Sequence, residues 1–453
     1  MQPREMSGEG SLGHGIRQLR VGGERKPGPG GDPSDATAAP TLPPRSARGK
    51  GKEQAKQPGG PSSGQMELQV VLEKVPEIQF SDATMNIPLQ NPLLPDKEYN
   101  TTEEGDQPEG AHEMESEGDS GSDQEREEST GPCDLAGRAQ YLAACKAYGV
   151  VPISYFLHHM HDSELTLMHR GLGPQGARAL ASALMTNTSI TKLNLSDNWL
   201  NEEGAAAIAG MLKENCFITD LDLSDNKVGA KGAKPLCAAL KVNTSVRRLR
   251  ISGSELGTQA AKDIAEALMV NTKVELLDLS HNLLDEEAGE KLGPALAENI
   301  GIKELNLSWN HLRGSGAVIF TQGLGANTYL KVLDLSYNGF CDQGAAAMGE
   351  ALKVNNVLEE LNISNNRISQ PGALQFSGGL RENRTLRILW MGRNPMRSEG
   401  CLNILRAIQL NPDSGLEVLD FSNIHLNRDF DDLACSLKES FPRLHIKHGS
   451  PSL

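Results

Sequence analysis

Apolar positions recur in one fixed frame over most of the chain after residue 160. In the stretch 302–310, IKELNLSWN, apolar residues stand at Ile302, Leu305 and Leu307, and the stretch ends on Asn310. The central leucine of this frame recurs in steps of 28 residues at Leu165, Leu193, Leu221, Leu249, Leu277, Leu305, Leu333, Leu361 and Leu389. Leu419 and Leu444 follow after steps of 30 and 25 residues. A period repeated this often is typical of a repeat architecture.

The frame predicts a short strand followed by a turn. Leu305 and Leu307 are two residues apart, so a strand would present both side chains on one face. One strand cannot bury that face alone, and neighbouring repeats would stack into a parallel sheet. The asparagine that closes the frame can satisfy backbone groups of the turn. We predict a structural ladder of these asparagines, interrupted at Arg170, Ser254 and Ile424: Asn198, Asn226, Asn282, Asn310, Asn338, Asn366 and Asn394.

The second half of each repeat has the apolar spacing of a helix, as in Gly204–Leu212, GAAAIAGML. Glycine, or alanine at Ala260 and Ala288, holds one register just before or at the helix start. Asparagine follows every helix, which we attribute to its tolerance of the left-handed cap conformation. These are Asn187, Asn215, Asn243, Asn271, Asn299, Asn327, Asn355, Asn383 and Asn411. The predicted fold is α/β: a right-handed horseshoe, or solenoid, with a parallel concave sheet and outer helices.

The combined repeat, L-x-x-L-x-L-x-x-N-x-L-x-x-x-G-x-x-x-L-x-x-x-L-x-x-N, resembles the ribonuclease-inhibitor type of leucine-rich repeat from about residue 165 to 446. The stretch Tyr141–Met160, YLAACKAYGVVPISYFLHHM, resembles the helical cap of the leucine-rich repeat-containing protein 74 group. This resemblance implies no enzymatic activity.

Composition divides the chain into four predicted parts. Residues 1–132 are predicted to be a disordered tail, because they are rich in Pro, Gly and Ser and lack an apolar period. Residues 133–164 are predicted to form a helical cap, residues 165–426 the repeats of 28 residues, and residues 427–453 a C-terminal cap and tail.

The tail contains two distinctive segments. Met66–Phe80 is an apolar island, which is either transiently ordered or a short motif that docks on a partner or on the repeats. Residues 103–128 form an acidic block, most simply a solvating spacer. Within it, Ser116, Ser120 and Ser122 precede acidic residues by three positions and are possible phosphorylation sites.

Charge and cysteine content restrict the partners. The 453 residues have a formal net charge of −15, so a nucleic acid partner is not expected. The seven cysteines are scattered, and the sequence has neither an apolar signal core nor a run of transmembrane length. We therefore expect a monomer in the cytoplasm, with the nucleus open, and no membrane contact.

A search for chemistry predicts no catalytic residue, no cofactor and no metal. His158, His159 and His161 lie close together, but we interpret them as cap histidines because no ligand spacing accompanies them. A nucleophile would be unique and paired with a base. Serines stand in register three residues after eight of the central leucines, so we interpret them as structural: Ser196, Ser224, Ser252, Ser280, Ser308, Ser336, Ser364 and Ser422.

The concave sheet face contains the candidate binding residues. Asp222, Arg250 and Asp278 are predicted to alternate in charge across three strands. His281, Trp309 and Tyr337 precede the ladder asparagine in three successive repeats, although the core does not require a large ring there. They either bind a partner or form a surface strip that stiffens the array. We predict the partner site at these three residues, with Asp334, Glu360 and Trp390 beside them, for an unidentified protein of basic or mixed charge.

Two functions fit this reading. The first is a non-enzymatic protein-interaction scaffold that binds a partner on the concave repeat surface. The alternative is regulation of a small GTPase, since a GTPase-activating family has similar repeats and an acidic segment. In that family the acidic segment follows the repeats, whereas the acidic block 103–128 precedes them here.

Overall fold

The computed structural model describes residues 132–449. Four predictions concern residues that lie outside this range. They are the disordered tail predicted over residues 1–132, of which only Pro132 is described, the apolar island 66–80, the acidic block 103–128 and the phosphorylation sites Ser116, Ser120 and Ser122.

The described residues contain eleven strands in one parallel sheet, and the order of strands in the sheet is their order along the chain. Strand pairing sets each central leucine of the frame beside the next from Leu165 to Leu419, as in Leu305 opposite Leu333. At the last strand the sequence prediction was wrong, because Ile446 and not Leu444 lies opposite Leu419. The strands are β1 Glu164–Thr166, β2 Lys192–Asn194, β3 Asp220–Asp222, β4 Arg248–Arg250, β5 Leu276–Asp278, β6 Glu304–Asn306, β7 Val332–Asp334, β8 Glu360–Asn362, β9 Ile388–Trp390, β10 Val418–Ser422 and β11 His445–Gly449.

Helices alternate with these strands, which gives the predicted solenoid of leucine-rich repeats. Two helices precede β1, and one helix follows each strand from β1 to β10. The helices are α1 Pro132–Tyr148, α2 Ser154–His159, α3 Gly173–Leu184, α4 Asn201–Glu214, α5 Gly229–Leu240, α6 Thr258–Leu268, α7 Glu286–Glu298, α8 Gly314–Ala326, α9 Cys341–Val354, α10 Gln370–Leu380, α11 Arg397–Gln409 and α12 Arg428–Ser440.

The core lies between the sheet and the helices. In the sixth repeat the strand residue Leu305, the following Leu307 and the helix residues Phe320 and Leu324 are all buried. The glycine near each helix start lies within the first turn rather than before the helix. A Cβ on Gly316 of α8 would lie 1.9 Å from the Glu286 carbonyl oxygen, so only glycine permits this approach of α8 to α7.

The asparagines after the strands, here called strand-end asparagines, bridge neighbouring repeats. The Asn310 Nδ2 donates to the carbonyl oxygens of Leu279, Leu307 and Ser308 at 2.9, 3.1 and 3.2 Å, and its Oδ1 accepts from the Leu284 N–H at 3.0 Å. Asn310 is buried. The side chain therefore satisfies buried backbone groups on two repeats at once.

Ser254 occupies the same position with a shorter side chain. Its Oγ donates weakly to the carbonyl oxygens of Leu223 and Ser252, at 3.4 and 3.3 Å. In the repeat before, the Asn226 Oδ1 accepts from two backbone N–H groups, those of Asn198 and Leu200. The fourth repeat is thus a weak point in the ladder.

The explanation for the asparagines after the helices was wrong. None of these nine residues, here called helix-end asparagines, has a positive φ. Asn299 is extended, with φ −73° and ψ 128°. Its Nδ2 donates to the carbonyl oxygens of Leu268 and Asn271, and its Oδ1 accepts from the N–H groups of Gly301 and Ile302. Asparagine is therefore present because it cross-links repeats, and it forms a second ladder at the other edge of the array.

Candidate functional site

In every repeat, one residue of the loop between strand and helix is held in the left-handed conformation. It stands directly before the strand-end position, and its φ lies between 49° and 61°. We call these residues the left-handed column: His169, Asp197, Asp225, Gly253, His281, Trp309, Tyr337, Asn365, Arg393 and Asn423. The loops that carry them form one rim of the array.

The ladder geometry imposes this conformation. The backbone N–H groups of His281, Trp309 and Tyr337 each donate to a serine carbonyl in the next repeat, at 3.0, 2.9 and 3.0 Å. The left-handed conformation costs a residue with a Cβ roughly 1–2 kcal/mol. Glycine at Gly253 shows that the turn itself needs no side chain. Bulky rings at this position are therefore a cost to folding that some other role must offset.

His281, Trp309 and Tyr337 stack on one another, and we call them the aromatic strip. The ring centroids of His281 and Trp309 are 5.3 Å apart, with planes 14° from parallel. Those of Trp309 and Tyr337 are 3.8 Å apart at 9°. Trp309 is nevertheless 48% exposed. The strip presents a continuous line of ring edges to solvent.

Basic side chains surround the strip, and sequence analysis did not single them out. Arg393, two repeats beyond Tyr337, donates from Nη1 to the Tyr337 hydroxyl. A cavity of about 580 Å³ beside the two larger rings has these residues in its lining: Asp285, Trp309, His311, Arg313, Tyr337, Asn365 and Arg367. Aligning the repeats would have found His311 and Arg313, which stand one and three residues after a strand-end asparagine.

The acidic groups near this cavity already have partners. Burial acts to raise the pKa of Asp285, but hydrogen bonds from the Thr258 hydroxyl and the Ala288 N–H outweigh it and hold that pKa below its usual value. The Ser315 hydroxyl and backbone N–H both donate to Glu286 and lower its pKa. Both carboxylates are thus ionised and engaged in holding the loops.

The other predicted binding residues lie on strands. Asp334 on β7 accepts from the Ser336 N–H at 2.8 Å and from the Asn362 Nδ2 at 3.0 Å. Glu360 stands on β8, and Trp390 on β9 pairs with Asn362 and Asp420. Asp334 and Glu360 are half-buried on the sheet face, whereas the strip lies on the rim. The structure brings the three rings together and places Trp390 outside their stack.

The charge alternation expected across three strands is present, since Arg250 stands between Asp222 and Asp278 in the sheet, but the close ion pair forms with another residue. Arg250 pairs with Asp220 of β3, its Nη1 lying 2.8 Å from Oδ1, rather than with Asp222 or Asp278 in its own column. Asp222 and Asp278 instead accept hydrogen bonds from the N–H groups of Ser224 and Ser280. Local turn hydrogen bonds therefore take precedence over ion pairing along that column.

At its N-terminal end the left-handed column is acidic. The His169 Nδ1 lies 2.5 Å from the Asp197 Oδ2. Burial raises the pKa of Asp225, and the neighbouring carboxylate of Asp197 raises it further. The Asp225 carboxylate leans over Gly253, where an added Cβ would lie 2.0 Å from Oδ1. Gly253 therefore leaves room for Asp225.

The histidines considered as metal ligands and the serines considered as nucleophiles make local hydrogen bonds. Within residues 132–449, no three His, Cys, Asp or Glu side chains are grouped to hold a metal ion. The His158 and His159 Nδ1 atoms lie 2.7 Å from the Ser154 carbonyl oxygen and the Asp162 carboxylate. In the serine column, Ser252 and Ser280 share a hydroxyl hydrogen bond of 2.9 Å.

The buried cysteines are poor nucleophiles. Burial raises the pKa of both the Cys237 and Cys401 thiols to about 12. The thiolate is the reactive form, and it is scarcely populated at neutral pH with such a pKa.

Among the described helices, none combines the length and the apolar character needed to cross a membrane.

Known proteins with related sequences carry the same repeat. The family model described as Leucine Rich repeat matches residues 186–209, 214–237, 299–318, 326–349 and 354–377. Human leucine-rich repeat-containing protein 74B is 56% identical over 71 residues, which is 16% of this chain and 18% of that protein. Its mouse counterpart is 56% identical over 52 residues, covering 12% and 13%. This chain therefore spans less than a fifth of the length of either relative.

Among solved structures, the chain is similar to one titled Leiomodin-1 Actin-Binding Site 2. The identity is 22% and the TM-score 0.28, over 39% of this chain and 87% of the other. The matches to the repeat family, the 28-residue register of hydrogen bonds and the single parallel sheet agree with one another. The part of the chain that the structure describes forms a solenoid of leucine-rich repeats, and over short stretches the chain is similar to leucine-rich repeat-containing protein 74B.

Proposed function

We propose that the repeat array is a non-enzymatic protein-interaction scaffold and that its partner binds at the aromatic strip. The observation that carries this proposal is that Trp309, exposed and left-handed, is stacked with His281 and Tyr337. The turn accepts glycine in this column, so the ring is kept at a cost to stability that binding would offset. Tryptophan and tyrosine dominate binding energy at many protein interfaces. The partner site thus lies on the rim, with the sheet face beside it.

Trp199 provides a matched control for a test of this site. It is also exposed on the rim and left-handed, with φ 57°, but it lies outside the strip. We expect Trp309→Gly in the full chain to weaken partner binding by about 2 kcal/mol or more and Trp199→Gly to leave it unchanged. Proximity labelling with the wild type identifies the partner, and titration calorimetry with the purified partner gives both affinities.

The competing interpretation is that the strip only stiffens the array. In that case Trp309→Gly lowers the melting temperature and leaves the affinity unchanged. In our proposal the lost ring stacking, about 0.5–1.5 kcal/mol, is offset by relief of the left-handed strain, so the melting temperature stays nearly constant. The alternative function, regulation of a small GTPase, is tested by single-turnover GTP hydrolysis. A scaffold would leave the rate of hydrolysis unchanged, whereas a GTPase-activating protein would increase it.

A further inference from the structure

The rim is electrostatically divided along its length. In the second to fourth repeats its loops contribute three acidic residues, Asp197, Asp225 and Glu255, and one basic residue, Lys227. The loops of the sixth, eighth and ninth repeats contribute a basic set: His311, Arg313, Arg367, Arg393 and Arg397. The aromatic strip lies where the basic half begins. A segment that binds the strip and continues toward the C-terminal end of the array therefore meets arginines.

Two arginines that line the cavity are available for a partner. Within residues 132–449, the Arg367 side chain makes no hydrogen bond or ion pair, and it is exposed. Arg313 is also exposed, and its Nε is 4.0 Å from Glu286, a carboxylate already bound by Ser315. Guanidinium groups bind carboxylates in a bidentate fork. The two arginines lie on loops two repeats apart and line the same cavity.

The stacked rings favour a peptide over a single-stranded nucleic acid. Single strands bind by stacking bases on exposed ring faces. Here His281 and Tyr337 cover both faces of Trp309, and Arg393 lies against Tyr337, its Cζ 6.0 Å from the ring centroid. Ring edges and guanidinium groups remain accessible. The ring edges suit apolar contacts, and the guanidinium groups suit carboxylates.

We propose that the cavity beside Trp309 and Tyr337 receives an acidic segment of a protein partner, with its carboxylates on Arg313 and Arg367. This rests on the proposed function and names the chemistry of the partner. It replaces the expected basic or mixed partner, since Asp334, one of the two acidic residues behind that expectation, is hydrogen-bonded within the array. A formal charge of −15 on the whole chain repels acidic peptides in general, so any attraction must be local.

The test measures fluorescence anisotropy of a labelled short poly-glutamate peptide titrated with the full-length protein. Poly-glutamine, poly-lysine and single-stranded oligothymidylate are the comparison probes. We expect binding of poly-glutamate alone, weakened by salt. Arg313→Gln and Arg367→Gln should each reduce that affinity about tenfold. Arg381→Gln, an exposed arginine at the end of α10, makes the same charge change and should have no effect.

Because the chain contains its own acidic block at 103–128, the titration is repeated with the acidic residues of that block changed to Gln or Asn. If poly-glutamate binds neither protein, or if Arg381→Gln weakens binding as much as Arg367→Gln, the proposal is overturned. Preferential binding of oligothymidylate or poly-lysine also overturns it. If Trp309→Gly abolishes partner binding while the arginine variants bind poly-glutamate like the wild type, the site stands and only its charge preference fails.

Discussion

The two halves of the rim share one backbone and differ in what they display. Near the N-terminal end, Asp197 and Asp225 occupy the left-handed column, and burial with mutual repulsion raises the pKa of Asp225. In the other half Trp309 and Tyr337 occupy the same column, stacked 3.8 Å apart. The φ values of all four residues lie between 49° and 57°. The ladder fixes the backbone, and the side chains that project from it are free to differ, so specificity resides in them.

The fourth repeat separates these halves and is built differently from its neighbours. Gly253 stands in the left-handed column and Ser254 in the strand-end position. The first makes room for the Asp225 carboxylate. The second weakens the ladder where the acidic half meets the aromatic half. Substitutions in the common backbone ladder, in the fourth repeat between the halves, or among the displayed side chains therefore test this comparison separately.

The largest effect is expected from removing a shared ladder contact. Asn310→Ala leaves the Leu284 N–H and three carbonyl oxygens without this partner. It should destabilise the protein by about 3 kcal/mol, the upper range for unpaired buried groups. Urea unfolding followed by circular dichroism measures the change. Asn365→Ala is the control, since that asparagine lies in the left-handed column and, within residues 132–449, only its backbone takes part in hydrogen bonds between repeats. Equal losses in the two variants would contradict the assignment.

A substitution at the opposite edge distinguishes the two explanations of the helix-end asparagines. If Asn299 were present for a left-handed cap, Asn299→Gly would be neutral or stabilising. Because its side chain makes four hydrogen bonds in an extended conformation, we expect a loss of about 2 kcal/mol. The same denaturation experiment measures it, and an unchanged midpoint would contradict the view that these hydrogen bonds stabilise the array.

A smaller effect of opposite sign is expected at the junction. Ser254→Asn should stabilise the protein by about 1 kcal/mol, because an amide there can accept from the N–H groups of Asn226 and Val228. Those two groups correspond to the ones that Asn226 satisfies in the preceding repeat. A clear loss of stability would mean that the fourth repeat is adapted to serine. The denaturation midpoint, compared with that of Ser252→Asn in the neighbouring serine column, decides this.

The smallest effect concerns the acidic half alone. Asp225 has a raised pKa in the folded protein, so it favours folding when protonated and opposes folding once pH rises through that pKa. Asp225→Asn should therefore raise the melting temperature slightly at neutral pH. The gain should vanish below the ordinary pKa of aspartate, where the wild-type carboxyl is neutral in both states. A gain that persists at low pH would point to a cause other than ionisation.

The sequence by itself determined the repeat, the strand and helix in each repeat and the positions of both asparagine columns. A 28-residue period of leucines is a local pattern, and burial of those leucines requires neighbouring repeats to stack in register. The aromatic residues were also visible, because Trp309 and Tyr337 depart from a frame that needs no ring there.

Only the tertiary structure decided what these residues do. The helix-end asparagines hydrogen-bond across 28 and 31 residues of chain, which no local propensity describes. The left-handed column follows from hydrogen bonds to the next repeat. Arg313 and Arg367 are 54 positions apart in sequence, and they line one cavity only because each loop ends at the same rim. Stacking turns distant positions into neighbours, and the chemistry of the rim is set by those neighbours.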